Sequence, residues 1–89
     1  MAERQSHALF EPITVDGAER RTIDLRRLKG KDLRDIDKFE GGNADKTLFI
    51  IQRLSGWPPE AVEELDAADI EACGKIIEGF TKRKPSIVR

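Results

Sequence analysis

The chain is poor in the residues on which most enzymes rely. Its 89 residues include one cysteine and one histidine. Cys73 alone can form no internal disulfide and has no second thiol with which to build a zinc knuckle, so a reducing compartment is expected. His7 falls in a segment expected to be a solvent-exposed arm, and without it no Ser-His-Asp or Cys-His set can be assembled. Gly41-Gly42 is an isolated pair, with no following Lys-Ser or Lys-Thr to make a phosphate loop. Glu60, Glu63, Glu64 and Asp66 are most simply a solvated acidic face, because a hard cation needs oxygens converging from one loop. No catalytic residue, metal ligand or cofactor is therefore expected, and the protein is not expected to be an enzyme. The opening Met1–His7 lacks an apolar targeting core, and no later apolar run approaches bilayer length, so the expectation is a soluble cytoplasmic protein without a membrane partner. The length allows one domain with one small core and no deep enclosed site.

Charge is nearly balanced in total but unevenly placed. Residues 1–38 carry nine basic and eight acidic side chains, residues 39–81 three and nine, and residues 82–89 four and none. An acidic body is a poor match for a phosphate backbone, so nucleic acid is disfavoured as a partner. The locally basic run Arg20, Arg21, Arg26, Arg27, Lys29, Lys31 and Arg34 is interleaved with Asp24, Asp32, Asp35 and Asp37, and is best taken as a solvated face.

The pattern predicts an α+β, mostly α domain in which an N-terminal β-hairpin packs on three to four short helices. The boundaries are a flexible arm over 1–9, the domain over 10–81 and a basic flexible tail over 82–89. Ile13 and Val15 alternate with Thr14 in a first strand from Phe10, and Pro12 confines it to an edge or to its own beginning. Asp16-Gly17 is a two-residue hairpin turn signal. Ile23 and Leu25 then share one face of a second strand.

Leu33 and Ile36 mark one side of a helix over 31–39, with Asp32 and Asp35 complementing its dipole. Asn43 is expected to cap a helix over 44–55. Gly56 closes that helix, and Pro59 begins a short one running to Leu65. Asp66, with Asp69 as the reciprocal acceptor, is expected to cap the last helix from Ala67, whose stripe is Ile70, Cys73, Ile77 and Phe80. Leu48, Ile51, Leu54, Ile70 and Ile77 are the expected core, with Cys73 a small buried thiol.

Phe49, Ile50, Trp57 and Ile76 exceed what so small a core needs and are the candidate partner-binding residues. The alternative is that they only fill the space between hairpin and helices. The wide apolar sector of the 44–55 helix also suggests a homo-oligomer that closes this face against a copy of itself. A rival reading makes 44–55 and 59–65 a helix-turn-helix regulator that binds nucleic acid, but Glu60, Glu63 and Glu64 are the wrong side chains for a recognition helix.

Several segments, individually weak, stand in a specific order: Ile13-Thr14-Val15-Asp16-Gly17, Lys29-Gly30-Lys31-Asp32-Leu33, Lys46-Thr47-Leu48, Ile51-Gln52-Arg53-Leu54-Ser55-Gly56, Pro58-Pro59-Glu60 and Leu65-Asp66-Ala67-Ala68-Asp69. Over about Ile13 to Phe80 this order resembles the tail assembly chaperones of Mu-like and P2-like tailed phages. The resemblance implies a non-enzymatic protein that binds the long helical tape-measure protein, keeps it soluble and assists polymerisation of the tail tube protein around it. It also implies action in the host cytoplasm and absence from the finished virion. Phe49, Ile50 and Trp57 would then border an apolar groove for amphipathic segments of the tape-measure protein.

Overall fold

Alternating apolar residues and an Asp-Gly turn dictate a hairpin, and the computed structural model, which describes residues 4–81, contains one. Strand β1 (Arg4–Val15) pairs antiparallel with β2 (Ala18–Arg26). Asp16 and Gly17 both take positive φ, 53° and 80°, as a two-residue turn matching the twist of its strands requires. Four helices follow: α1 (Gly30–Lys38), α2 (Asn43–Ser55), α3 (Pro59–Val62) and α4 (Ala67–Thr81). The expected α+β architecture is thus observed.

The strand begins six residues earlier than expected. Residues 4–8 pair with β2 in register, so this part of the expected arm is ladder. Between Ala8, opposite Thr22, and Ile13, opposite Arg20, the residues Leu9, Phe10, Glu11 and Pro12 stand against Arg21 alone. Pro12 therefore sits in a bulge, where its missing donor costs the ladder nothing. The tail over 82–89 lies outside the described residues.

Ile13, Val15, Ile23 and Leu25 form the buried face of the hairpin. Against it pack Ile51 and Leu54 of α2, Ala61 and Val62 of α3, Leu65, and Cys73 and Ile77 of α4. Helix α2 touches β2, α3, α4 and α1 in turn, which accounts for its apolar circumference. Leu48 and Ile70, expected in the core, are only partly buried. Gly56 ends α2 in the left-handed conformation, φ 78°, with its N–H donating to the Gln52 carbonyl at 2.9 Å. Pro59 occupies the first turn of α3, as expected, but α3 is a single turn that ends at Val62 rather than Leu65. Gly42, not Asn43, precedes α2, and no side chain caps that end.

Helix α1 departs most from the expectation. Its buried residue is Asp32, while Leu33 is 53 % exposed and Ile36 only partly covered. The cause is tertiary. Arg26 at the end of β2 donates from Nη1 and Nη2 to the two Asp32 oxygens, at 2.7 and 3.0 Å. Arg53 of α2 donates from Nε to Oδ1 at 2.6 Å, and the Lys29 backbone N–H to Oδ2 at 2.8 Å. Arg53 also reaches Asp35 through Nη2 at 2.7 Å. Within the basic run expected to be a solvated face, Arg26 is therefore an exception. Arg26, together with Arg53 from outside that run, is a structural ligand of a buried carboxylate.

Two predictions follow from this packing. Ile51→Ala or Leu54→Ala should destabilise by about 2–5 kcal/mol, whereas Leu48→Ala or Ile70→Ala, only partly buried, should cost less, about 1–2 kcal/mol in urea titrations. Hydrogen bonding from Arg26, more than any other cause, holds the Asp32 carboxyl well below the usual carboxylate range despite its burial. A carboxyl depressed in the folded state contributes stability above its unfolded pKa of about 4 and loses that contribution as pH falls further. Asp32→Asn should cost about 3 kcal/mol at neutral pH, the low end for a broken buried pair, because both arginines retain some access to water. The same variant should lose much of the acid dependence of the melting temperature below about pH 4.

Candidate functional site

His7 and Asp69 are the first pair to test for chemistry. His7, expected to be exposed on an arm, instead stands opposite Ile23 in the ladder, with Nε2 at 2.9 Å from Asp69 Oδ1. Because a carboxylate only accepts, this nitrogen carries the hydrogen. Both Asp69 oxygens also lie 2.9 Å from the Phe10 N–H that the bulge turns out of the ladder. Asp69 is buried and serves as a tertiary acceptor, so the expected reciprocal capping box is not formed. Asp66 does cap α4, accepting the Ala68 N–H at 2.9 Å. The His7–Asp69 pair has its hydrogen bonds committed to docking β1 on α4. Cys73 is buried beside it, and burial foremost, with the Asp69 charge adding, pushes its thiol up to about 11. A thiol so raised stays protonated at neutral pH and is a poor nucleophile. Among the described residues no group of three His, Cys, Asp or Glu side chains converges as a metal site would require.

The four candidate binding residues are dispersed. The Phe49 ring stacks on Phe39, with centroids 4.9 Å apart and planes 22° from parallel, and lines a hollow of about 220 Å³ with Leu48, Gln52 and Val62. Ile76 lines a different hollow with Arg27 and Phe80, where the Arg27 guanidinium lies 5.4 Å from the centre of the Phe80 ring. Ile50 and Trp57 pack against the core and are partly buried, and the Trp57 N–H donates to Ser55 Oγ at 3.1 Å.

A larger feature lies where the sequence pointed only to core. Leu48 and Ile70 are partly exposed because they help to line a groove of about 680 Å³ between α2 and α4. Asn43, Ala44 and Thr47 line it from α2, and Ala67, Glu71, Gly74, Lys75 and Glu78 from α4. Small side chains at Ala44, Ala67 and Gly74 keep the helices from filling the space between them. Ile70 stood on the predicted stripe, but only the tertiary packing shows that its outer side is uncovered.

The family model described as "Phage tail assembly chaperone proteins, E, or 41 or 14" matches residues 6–82. The chain belongs to the phage tail assembly chaperone family. No curated protein and no solved structure shows significant similarity to it. In this chaperone the matched span takes in the hairpin bulge, both buried carboxylates and the α2–α4 groove.

Gly74 is the residue of this groove that the fold itself does not require. Among the described residues, a methyl group added there would meet no atom within 4 Å beyond its chain neighbours and its own helix backbone. Gly74→Ala should therefore stabilise the chaperone by about 0.5–1 kcal/mol, by restricting the unfolded chain, and raise the midpoint of thermal unfolding.

Proposed function

We propose that this chaperone binds the tape-measure protein of the same tail and keeps it soluble while tube protein polymerises around it. The observation that carries the reading is membership of the tail assembly chaperone family over residues 6–82. The fold is compatible with it in a specific way: apolar side chains are left half-covered at several places on the helical surface, Leu48 and Ile70 foremost and Phe49, Ile50, Trp57 and Ile76 around the rest of the body. Contacts of this kind hold an amphipathic helix by its apolar stripe and release it without chemical work. The chaperone acts non-enzymatically, in the host cytoplasm, and leaves before the particle is complete. The nucleic-acid reading finds less support, since α3 is one turn long and carries Glu60 as its charged residue.

Co-expression decides the matter. The tape-measure protein from the same tail cassette, insoluble alone, should appear in the soluble fraction and co-purify when this chaperone is present. Phe49→Ala together with Ile76→Ala should lower the recovered amount while leaving the circular dichroism spectrum unchanged. Failure of the wild-type chaperone to retain the tape-measure protein would overturn the reading.

A further inference from the structure

The α2–α4 groove has a shape and a charge that narrow what it can hold. Its α4 side runs from Ala67 to Glu78, roughly 16 Å at a helical rise, about three turns. Its floor combines half-covered Leu48 and Ile70 with Ala44, Ala67 and Gly74, so a partner backbone can come close where no side chain stands in the way. Glycine within a 15-residue helix weakens that helix, and among the described residues no close approach to Gly74 requires it. Glu71 and Glu78, seven residues apart, lie on the same helix face as Gly74 and form the rim on that side, with Lys75 farther round. The charged side chains that line the groove are thus two acids and one base, a local excess of one negative charge.

We propose that this groove seats one amphipathic helix of the client, about three turns long, with its apolar stripe against Leu48, Ile70 and Gly74 and basic side chains against Glu71 and Glu78. The client's identity rests on the tape-measure reading, but the groove's preference for a basic-flanked helix does not. The charge complementarity sets the choice of segment along a long client, and the apolar floor sets the strength of the contact.

The probes are two synthetic helical peptides about three turns long with the same leucine-alanine stripe, one flanked by lysines and the other by glutamates. Fluorescence anisotropy with the full chain should show the lysine peptide bound about tenfold or more tightly than the glutamate peptide. Gly74→Leu should weaken the lysine peptide by at least about tenfold without lowering the melting temperature. Glu71→Lys combined with Glu78→Lys should reverse the preference. Equal binding of the two peptides, or an unchanged affinity in the folded Gly74→Leu variant, would overturn the proposal. So would sedimentation as a dimer that Gly74→Leu dissociates, because the groove would then belong to a second copy. In co-expression, a Gly74→Leu chaperone that still holds the tape-measure protein in solution would remove the groove and leave the tape-measure reading standing. A wild-type chaperone that loses the tape-measure protein but distinguishes the peptides would do the reverse.

Discussion

The Asp32 carboxylate is the constraint around which the helices are arranged. Its two oxygens accept four hydrogen bonds, from Arg26 in β2, Arg53 in α2 and the backbone that opens α1. Four acceptor sites are thereby filled, which is what a fully buried carboxylate requires. Such a cluster adds less net stability than its short distances suggest, because removing the ion from water offsets much of the attraction. Its effect is directional. The observed placement of α1 lets a strand end and a neighbouring helix reach the same carboxylate, and with it α1 buries a charge and leaves Leu33 in solvent.

The second buried carboxylate performs a similar task at the other side of the hairpin. Asp69 accepts the Phe10 N–H and the His7 ring N–H, and so fixes where the β1 bulge meets α4. The bulge turns Phe10 outward, where it is 72 % exposed, and accommodates Pro12 in an otherwise long strand. A two-stranded sheet is marginal by itself. Here its apolar face rests on α2, α3 and α4, and both of its strands are tied to helices by ionic or polar contacts.

Features encoded in neighbouring residues were legible in the sequence. The Asp16-Gly17 turn, the alternation of Ile23 and Leu25, the Gly56 stop, the Pro59 start and the Asp66 cap each depend on a few adjacent positions, and all occur. Whatever depended on a distant partner was not. Asp32 stood in a first turn, where a solvated acid beside the helix dipole is the simplest account, and nothing local announces Arg53 twenty-one residues later. Asp69 stood where a capping box would use it, and a strand sixty residues earlier claimed it instead. Leu48 and Ile70 fell correctly on apolar stripes, but a stripe does not tell a packed face from the wall of an open groove. The dispersion of Phe49, Ile50, Trp57 and Ile76 has the same origin, since helical periodicity orders residues around one helix and not between helices.

The resemblance to tail assembly chaperones rests on segments that include Asp32, Arg53 and Asp69, and all three hold the fold together. The same segments also contain Thr47, Leu48 and Ala67 of the α2–α4 groove, so they take in both the anchors of the fold and part of the open surface beside them. The proposed contact is small: a helix of about three turns in the α2–α4 groove would bury less than the roughly 1,200 Å² of a stable protein–protein interface. Weak single contacts suit a chaperone that must let go. On the long helical client proposed above, many copies each bound weakly would shield the whole length, while any one copy would exchange quickly enough for a growing tube to displace it.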